Sequence, residues 1–250
     1  MSISVTEPQR HIVLVTIENE GRRNALTRAM FEELALLWPR LEASTARCVV
    51  VTGQGSKAFC SGAGLSIDWT LDPNLDDLVD RALLKTQTFT KPLVAAINGH
   101  AVAGGLEFVL SCDIRIAARG AKLGFPEVQW GIFPSGGGAL KLEGQIGYTW
   151  ARDLLLTGRL ITADEANTIG LVGQVVVAQD VRATAMQRAE SIARNSPTAV
   201  AAVKRFLSRR SARALAEDVP DEEREARNVR ASSDRVKGVE AFLNRRPPPY

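Results

Sequence analysis

Short apolar runs alternate with longer amphipathic stretches along the chain up to about Asp180. The runs are rich in β-branched residues and have the length of strands that are buried on both faces. They occupy residues 11–17, 47–53, 91–99, 113–118 and 170–177. Because helical spacing of apolar residues appears between them, the pattern favours an α/β fold with largely parallel strands.

Two helix starts inside this part are marked by capping residues. Thr27 stands directly before RAMFEELALLWPRLEA, whose apolar positions recur at helical spacing. Thr162 and Glu165 have the spacing of a capping box, so a second helix is predicted to begin there.

The pattern changes after about Asp180, where strand-like runs stop and helical patterns continue to the end. Ser196 and Pro197 are typical of an N-cap and the first residue of a helix. We therefore predict an α/β core over residues 1–195 and a helical region over residues 196–250.

Composition narrows the function classes. The chain has 250 residues, of which 45% are hydrophobic and 24% charged, as in ordinary globular proteins. Its 31 basic and 28 acidic residues are too evenly balanced to indicate nucleic-acid binding. The apolar runs are shorter than the ~18 residues of a membrane span, and no signal sequence is recognisable. We expect neither a nucleic-acid nor a membrane partner.

The few cysteines and histidines disfavour a metal site. Cys48, Cys60 and Cys112 show no CxxC spacing, and His11 and His100 are the only histidines. A reduced, cytoplasmic setting fits this cysteine usage best.

One glycine loop imitates a dinucleotide-binding fingerprint. Gly53 and Gly55 follow a predicted strand, and Asp72 lies at about the expected distance. The segment after these glycines lacks helical periodicity, and Asp72 sits in a turn-like LDPN sequence. The nicotinamide interpretation is therefore disfavoured.

Two other glycine-rich segments are better candidates for a role in catalysis. Residues 57–65 (KAFCSGAGL) and 101–107 (AVAGGLE) contain small residues that leave backbone N–H groups uncovered. One amide from each loop could hold an oxygen that becomes negative during a reaction. Taken singly, each loop is better explained by tight turns and close helix–strand packing.

Two glutamates lie in apolar, glycine-flanked sequence. Glu107 follows a glycine pair at a predicted helix start, where a negative charge is favourable by about 0.3–1 kcal/mol without any catalytic role. Glu127 follows a proline, beyond the predicted strand at 113–118. Two such carboxyls in one pocket could act as one base and one acid, because like charges push one pKa up.

Together these motifs resemble the enoyl-CoA hydratase/isomerase (crotonase) superfamily over essentially the whole chain. The matching segments are Arg22-Arg23-Asn24-Ala25-Leu26, KAFCSGAGL, KPLVAAINGHAVAGGLEFVLSCDIRIAA, FPEVQWGIFPSGGG, DLLLTGRLITADEANTIGLV and SSDRVKGVEAFLNRRPPPY. The resemblance implies a spiral of ββα units, followed by a C-terminal helical region that forms a homotrimer or a dimer of trimers.

The resemblance also implies catalytic roles. The backbone amides of Ala63 and Gly104 correspond to an oxyanion hole for a thioester carbonyl. Glu107 and Glu127 fall where hydratases keep their catalytic glutamates. The implied reaction is reversible syn addition of water to a trans-2-enoyl-CoA, in which Glu127 protonates carbon 2 and Glu107 deprotonates the water that attacks carbon 3.

A CoA-binding surface is implied in the same way. The resemblance implies no metal or redox cofactor, and CoA enters only as part of the substrate. Arg245, in the helical tail, is a candidate for binding the phosphates of CoA, but it could equally belong to a solvated helical face. The expected substrate-binding and CoA-binding residues are Arg22, Arg23, Ala25, Leu26, Ala63, Gly64, Leu65, Ser66, Gly104, Ser135 and Arg245.

Three positions depart from the family pattern. Gly64 replaces an acidic residue, Ser135 replaces a glycine, and Ala103 replaces the first glycine of a GGG triplet, which we regard as a mild change. These departures keep alternatives open: double-bond isomerisation between positions 3 and 2, C–C or thioester cleavage, or CoA-thioester binding without turnover. Aromatic residues that could shape an acyl pocket, or simply belong to the core, are Trp69, Trp130 and Phe133.

Overall fold

The computed structural model describes residues 1–64, 74–247 and 250. Within these ranges the chain forms two β-sheets, surrounding helices and a helical C-terminal region. The residues Leu65, Ser66, Trp69 and Asp72, which the sequence analysis considered, lie outside the described residues.

The strands and helices follow one another along the chain as listed here. The strands are β1 Ser2–Gln9, β2 Ile12–Glu18, β3 Cys48–Gly53, β4 Ala58–Cys60, β5 Leu93–Ile97, β6 His100–Val102, β7 Ile114–Ala118, β8 Lys122–Gly124, β9 Leu160–Thr162 and β10 Gln174–Val176. The helices are α1 Arg28–Glu42, α2 Leu75–Leu83, α3 Gly104–Leu110, α4 Gly138–Ile146, α5 Tyr148–Thr157, α6 Ala163–Thr168, α7 Val181–Ala193, α8 Pro197–Leu215, α9 Val219–Arg230 and α10 Ser233–Leu243. Short 3-10 segments lie at Glu20–Arg22, Pro126–Trp130 and Ala178–Asp180.

The larger sheet has the strand order β1-β2-β3-β5-β7-β10, and only the β1–β2 pair is antiparallel. All residues of β3 and β5 are buried, which fits their unbroken apolar sequences. Helix α7 packs against β3, β5 and β7. The smaller sheet has the order β4-β6-β8-β9, with β4, β6 and β8 parallel and β9 antiparallel to β8.

The predicted pattern of parallel strands is confirmed in these sheets. The five predicted runs coincide with β2, β3, β5, β7 and β10, although β2 ends one residue later and the other strands are shorter than predicted. The Thr27, Thr162 and Ser196 side chains each accept a hydrogen bond from a backbone N–H three residues on, so the three helix caps are confirmed as well.

The edge strand β1 was missed, because its polar residues and Pro8 lack the apolar signature of a buried strand. The short strands of the smaller sheet were also missed, since three residues are too few to establish a period. In the described ranges, no helix combines the length and the apolar character needed to cross a membrane.

Candidate active site

The candidate site lies where three parallel strands of the smaller sheet end. The loop with Ala63 follows β4, helix α3 with Gly104 and Glu107 follows β6, and the 3-10 segment with Glu127 follows β8. Because β4, β6 and β8 pair in parallel, their carboxyl ends meet at one edge of the sheet. The sequence-predicted residues Ala63, Gly104, Glu107 and Glu127 therefore come together at this edge.

The first loop is joined to the Arg22–Leu26 segment by backbone hydrogen bonds. The Leu26 N–H donates to the Gly62 carbonyl at 2.8 Å, and the Gly64 N–H donates to the Leu26 carbonyl at 2.8 Å. This two-bond bridge leaves the intervening Ala63 N–H outside the pairing. Two segments that are distant in sequence thus form one surface.

Asn24 organises the turn before this bridge. Its backbone is left-handed, with φ of 56°, and its side chain is fully buried. The side-chain amide donates to the Ala58 carbonyl at 2.7 Å and to the Gln54 carbonyl at 2.9 Å. The side-chain oxygen accepts from the Asn19 N–H at 3.0 Å. Asn24 therefore connects its own turn to the segment that leads from β3 into β4.

The Ala63 and Gly104 amides lie side by side. A Cβ atom built on Gly62 would come within 2.9 Å of the Gly104 nitrogen, and one built on Gly104 would lie 3.4 Å from the Ala63 nitrogen. Among the residues that the structure describes, neither N–H has a hydrogen-bond acceptor. Two free amides this close can jointly stabilise an oxygen that becomes negative.

Ala103 holds the backbone in an unusual conformation directly before Gly104. Its φ of 52° and ψ of −134° lie in a region that glycine populates readily and that a Cβ atom disfavours. This torsion sets the orientation of the peptide that carries the Gly104 N–H. The replacement of glycine by Ala103 is therefore a source of strain and not the mild change expected from the sequence.

We expect Ala103→Gly to stabilise the protein by about 0.5–1 kcal/mol, because relief of the strain exceeds the added entropy of a glycine in the unfolded chain. Urea-induced unfolding measures this difference. Ala101→Gly is the control, since Ala101 lies two residues earlier, in β6, and is not among the residues with positive φ. The control should be destabilised, and a similar loss for Ala103→Gly would contradict the strain.

Glu107 lies in the first turn of α3 and is only 5% exposed. Its Oε1 accepts a hydrogen bond from the Gly138 N–H at 2.9 Å. Burial, the largest influence, raises the pKa of Glu107 to about 7, whereas backbone hydrogen bonds from Gly138 and Gly136 lower it. This carboxyl is thus poised to exchange a proton near neutral pH.

Glu127 lies in the 3-10 segment after β8 and is 6% exposed. Its Oε2 is buried and has no hydrogen-bond partner among the described residues. Burial, followed by the negative charge of Glu107, raises the pKa of Glu127 well above its ordinary value. Glu127 therefore favours its neutral, protonated form.

The two carboxyl groups are unequal in a way that separates their roles. Glu107 has a backbone N–H donor that stabilises its anion, whereas the Oε2 of Glu127 has none. Two buried carboxyls that influence each other do not readily ionise together, so one proton remains in the pair. The arrangement offers Glu107 as a base and Glu127 as an acid.

A sequence profile described as enoyl-CoA hydratase/isomerase matches residues 7–250. This chain belongs to the enoyl-CoA hydratase/isomerase family. It is 37% identical to enoyl-CoA hydratase EchA19 of Mycobacterium tuberculosis, over 99% of this chain and 96% of that protein. It is 32% identical to 2,3-dehydroadipyl-CoA hydratase of Escherichia coli, over 100% of this chain and 99% of that protein.

Solved structures agree with this family assignment. The crystal structure of carnitinyl-CoA hydratase from Mycobacterium avium superposes with a TM-score of 0.90 at 29% identity. The match covers 99% of this chain and 97% of that one. The predicted crotonase-like α/β fold is thereby confirmed for this member of the enoyl-CoA hydratase/isomerase family.

The family resemblance also singled out the Arg22–Leu26 segment and Arg245 as CoA-binding. Arg22 and Arg23 are exposed, and Ala25 and Leu26 adjoin the loop with Ala63 and Gly64. Arg245 is exposed just beyond the end of α10, and no described contact joins it to the Arg22–Leu26 segment.

Ser135 and the aromatic candidates have other contacts. The Ser135 N–H donates to the Phe133 carbonyl at 2.9 Å, so this amide does not face Glu107. The ring of Trp130 packs edge-on against Phe242 of α10 at 5.0 Å. This contact supports the structural interpretation of Trp130.

The glycines that directly contact the Glu107 carboxylate were not predicted from the sequence. A Cβ atom on Gly136 would lie 2.4 Å from Glu107 Oε2, and one on Gly138 would lie 3.2 Å from Oε1. The PSGGG sequence was a visible signal, but nothing local indicated which glycine amide faces the carboxylate. The buried pair of Lys85 and Glu222 was also missed.

Proposed function

We propose that this protein is an enoyl-CoA hydratase that adds water reversibly to the 2,3 double bond of a trans-2-enoyl-CoA. The observation that carries this proposal is the pair of unequal buried carboxyls beside two free backbone amides. A hydratase needs both a base for water and an acid for carbon, and Glu107 and Glu127 supply one of each. The names of the relatives at 32–37% identity support the same activity.

The Ala63 and Gly104 amides would hold the thioester carbonyl oxygen. The Glu107 carboxylate would take a proton from water while the water oxygen bonds to carbon 3. The electron pair of the double bond then moves toward the thioester, and the resulting enolate oxygen is stabilised by the two amides. Loss of one such donor typically costs ~2.7–4 kcal/mol of transition-state stabilisation.

The neutral carboxyl of Glu127 would complete the reaction by giving its proton to carbon 2. After the addition Glu107 holds a proton and Glu127 is ionised, so proton exchange with water restores the starting state. Both carboxyls act from one side of the substrate, which produces syn addition. The two glutamates and the two amides supply the chemistry, so no metal or redox cofactor is required. CoA is part of the substrate.

Double-bond isomerisation is the second candidate, and the Ser135 contact favours it. The Ser135 N–H is occupied by the Phe133 carbonyl, so it cannot help to hold a catalytic water. Moving a double bond between positions 3 and 2 needs only one well-placed base, which removes a proton and returns it, and no water.

The activity is tested by incubating the protein with crotonyl-CoA, longer enoyl-CoAs, 2,3-dehydroadipyl-CoA and a ring-bearing enoyl-CoA. Loss of the absorbance of the conjugated thioester reports hydration. We expect turnover of at least one substrate in this panel. Binding of these thioesters without turnover, together with conversion of a 3-enoyl-CoA to its 2-isomer, would favour the isomerase.

The activity should show a bell-shaped dependence on pH. The base must be ionised, so kcat/KM is expected to rise as the pH increases through the pKa of Glu107, about 7. The acid must be protonated, so the rate should fall at higher pH as Glu127 loses its proton. Measuring kcat/KM from about pH 5 to 10 tests this, and a flat profile across the acid side would contradict it.

We further propose that the chain forms a homotrimer or a dimer of trimers through its helical C-terminal region, residues 196–250. Helix α8 has no buried residue, and its Phe206 is 68% exposed. An apolar helix face of this kind favours burial against another subunit. Sedimentation equilibrium measures the mass, and a monomer at micromolar concentration would contradict this proposal.

The free, buried thiols support a reducing, cytoplasmic setting.

A further inference from the structure

Helix α9, in the C-terminal helical region, contains a third buried glutamate, Glu222, whose charge acts on the acid/base pair. Glu222 lies in the first turn of α9 and is 6% exposed. Its Oε2 accepts a hydrogen bond from Lys85 Nζ at 2.6 Å. Its Oε1 is buried and has no hydrogen-bond partner among the described residues. A buried carboxyl that is only half satisfied is costly, so its presence calls for an explanation.

The Lys85–Glu222 pair lies behind the glycine turn that contacts Glu107. A Cβ atom on Gly137 would lie 3.6 Å from Lys85 Cγ and 3.5 Å from Lys141 Cδ. The neighbouring Gly136 and Gly138 face Glu107. Helix α9 also packs against α4, which begins at Gly138. The lysine stems therefore adjoin the turn whose flanking glycines contact Glu107.

Charged groups from four elements face Glu107. Glu127 comes from the 3-10 segment, Glu222 from α9, Lys85 from the turn after α2 and Lys141 from α4. The Lys141 ammonium donates to the Leu84 carbonyl and to Ser111 Oγ, and burial lowers its pKa to about 7.

Burial is the main cause of the raised pKa of Glu107, but charges add to it. The negative charge of Glu222 raises this pKa further, and the positive charge of Lys85 lowers it by a smaller amount. Burial also raises the pKa of Glu222, and its contact with Lys85 opposes that shift. Three carboxyl groups thus belong to one buried cluster.

We propose that Glu222, held by Lys85, is a positioning residue whose buried negative charge disfavours simultaneous ionisation of Glu107 and Glu127. Glu222 would thereby help to keep one proton in the acid/base pair near neutral pH. This inference rests on the proposed hydratase function and assigns control of the pair's protonation to the C-terminal helical region.

A purely structural role for the ion pair is the competing explanation, because α9 and α2 are joined at a second point. Arg230 of α9 donates to both carboxylate oxygens of Asp76 in α2, at 2.7 and 3.0 Å. The Asp76 carboxylate therefore belongs to the same helix junction and provides a matched control. Asp76→Asn should weaken the junction. It should leave unchanged the acid limb of kcat/KM, which is the rise of kcat/KM with pH as Glu107 ionises.

Two substitutions at Glu222 separate charge from shape. Glu222→Gln keeps the shape and removes the charge, so the acid limb of kcat/KM should move to lower pH by about half a unit or more. Glu222→Asp keeps the charge and loses one methylene, so its acid limb should stay near that of the wild type. A purely structural role predicts lower stability in both variants, because each disturbs the buried ion pair, with the acid limb at its wild-type pH in both.

A double variant provides a test if Glu222→Gln fails to fold. Lys85→Met/Glu222→Met replaces a buried ion pair by apolar side chains, which proteins often tolerate. Its acid limb should move in the same direction as in Glu222→Gln but by less, because the effect of Glu222 on Glu107 exceeds that of Lys85.

An infrared titration separates failure of this inference from failure of the proposed function. The carboxyl stretch of Glu107 is identified by subtraction of the Glu107→Gln spectrum and is followed against pH without any substrate. If the wild type hydrates no enoyl-CoA, the proposed function fails, and the infrared titration still tests the role of Glu222. Unchanged Glu107 titrations in both Glu222→Gln and the double variant would overturn the inference.

Discussion

Glu127→Gln and Glu107→Gln are each expected to lower the turnover number for hydration by at least ~10². Gln has nearly the shape of Glu but can neither give nor take the proton at these positions. The first variant removes the acid for carbon 2, and the second removes the base for water. Steady-state kinetics on any enoyl-CoA that the wild type hydrates measures both effects. Near-wild-type turnover in either variant would contradict the two-glutamate mechanism.

The stability of Glu127→Gln distinguishes lost chemistry from lost folding. The pKa of Glu127 is raised in the folded state, so the folded protein holds this proton more tightly than the unfolded chain. The associated stability is present below the unfolded value of 4.5 and is lost as pH rises through the folded pKa. The unfolding free energy of Glu127→Gln should therefore exceed that of the wild type increasingly toward alkaline pH.

Gly136→Ala is expected to lower turnover by about 10², although it leaves both glutamates in place. The added methyl would lie 2.4 Å from Glu107 Oε2, so the carboxylate must move away. The clash involves the end of a flexible side chain, and Gly136 is not among the glycines with positive φ, so the fold should persist. Kinetics and circular dichroism on the same sample measure the two effects.

Gly144→Ala is the matched control for this substitution. Gly144 lies within α4, the helix that begins two residues after Gly136, and a Cβ atom there meets nothing within 4 Å. Alanine at an open helix position stabilises by about 0.5–1 kcal/mol, so turnover should be unchanged and stability slightly higher. Equal activity losses in both variants would show that the steric argument at Gly136 is wrong.

Local sequence patterns were sufficient for the main strands and for the helix caps. The apolar run of β3 predicts burial on both faces because period and composition act on neighbouring residues. Thr27 and Ser196 cap their helices through bonds to residues only three positions away. The sequence placed Glu107 and Glu127 in one pocket from the single strand predicted between them, but the strands that they follow, β6 and β8, were not predicted.

The long-range features could not be predicted in this way. Glu222 pairs with Lys85 across 137 positions of sequence, and no local pattern marks either residue as buried. The strain at Ala103 depends on a torsion angle that only the packed loops determine. The strand β1 pairs at the sheet edge, where an apolar signature is not required.

The most direct test of the proposed mechanism follows atoms of solvent into the product. The protein is mixed with a trans-2-enoyl-CoA that it consumes, in water labelled with oxygen-18 and deuterium, and the product is analysed by mass spectrometry. Hydration predicts one oxygen-18 at carbon 3 and one deuterium at carbon 2, and both labels should enter at least ~10² more slowly with Glu107→Gln and Glu127→Gln. Deuterium incorporation without oxygen-18 would contradict hydration and identify proton transfer alone.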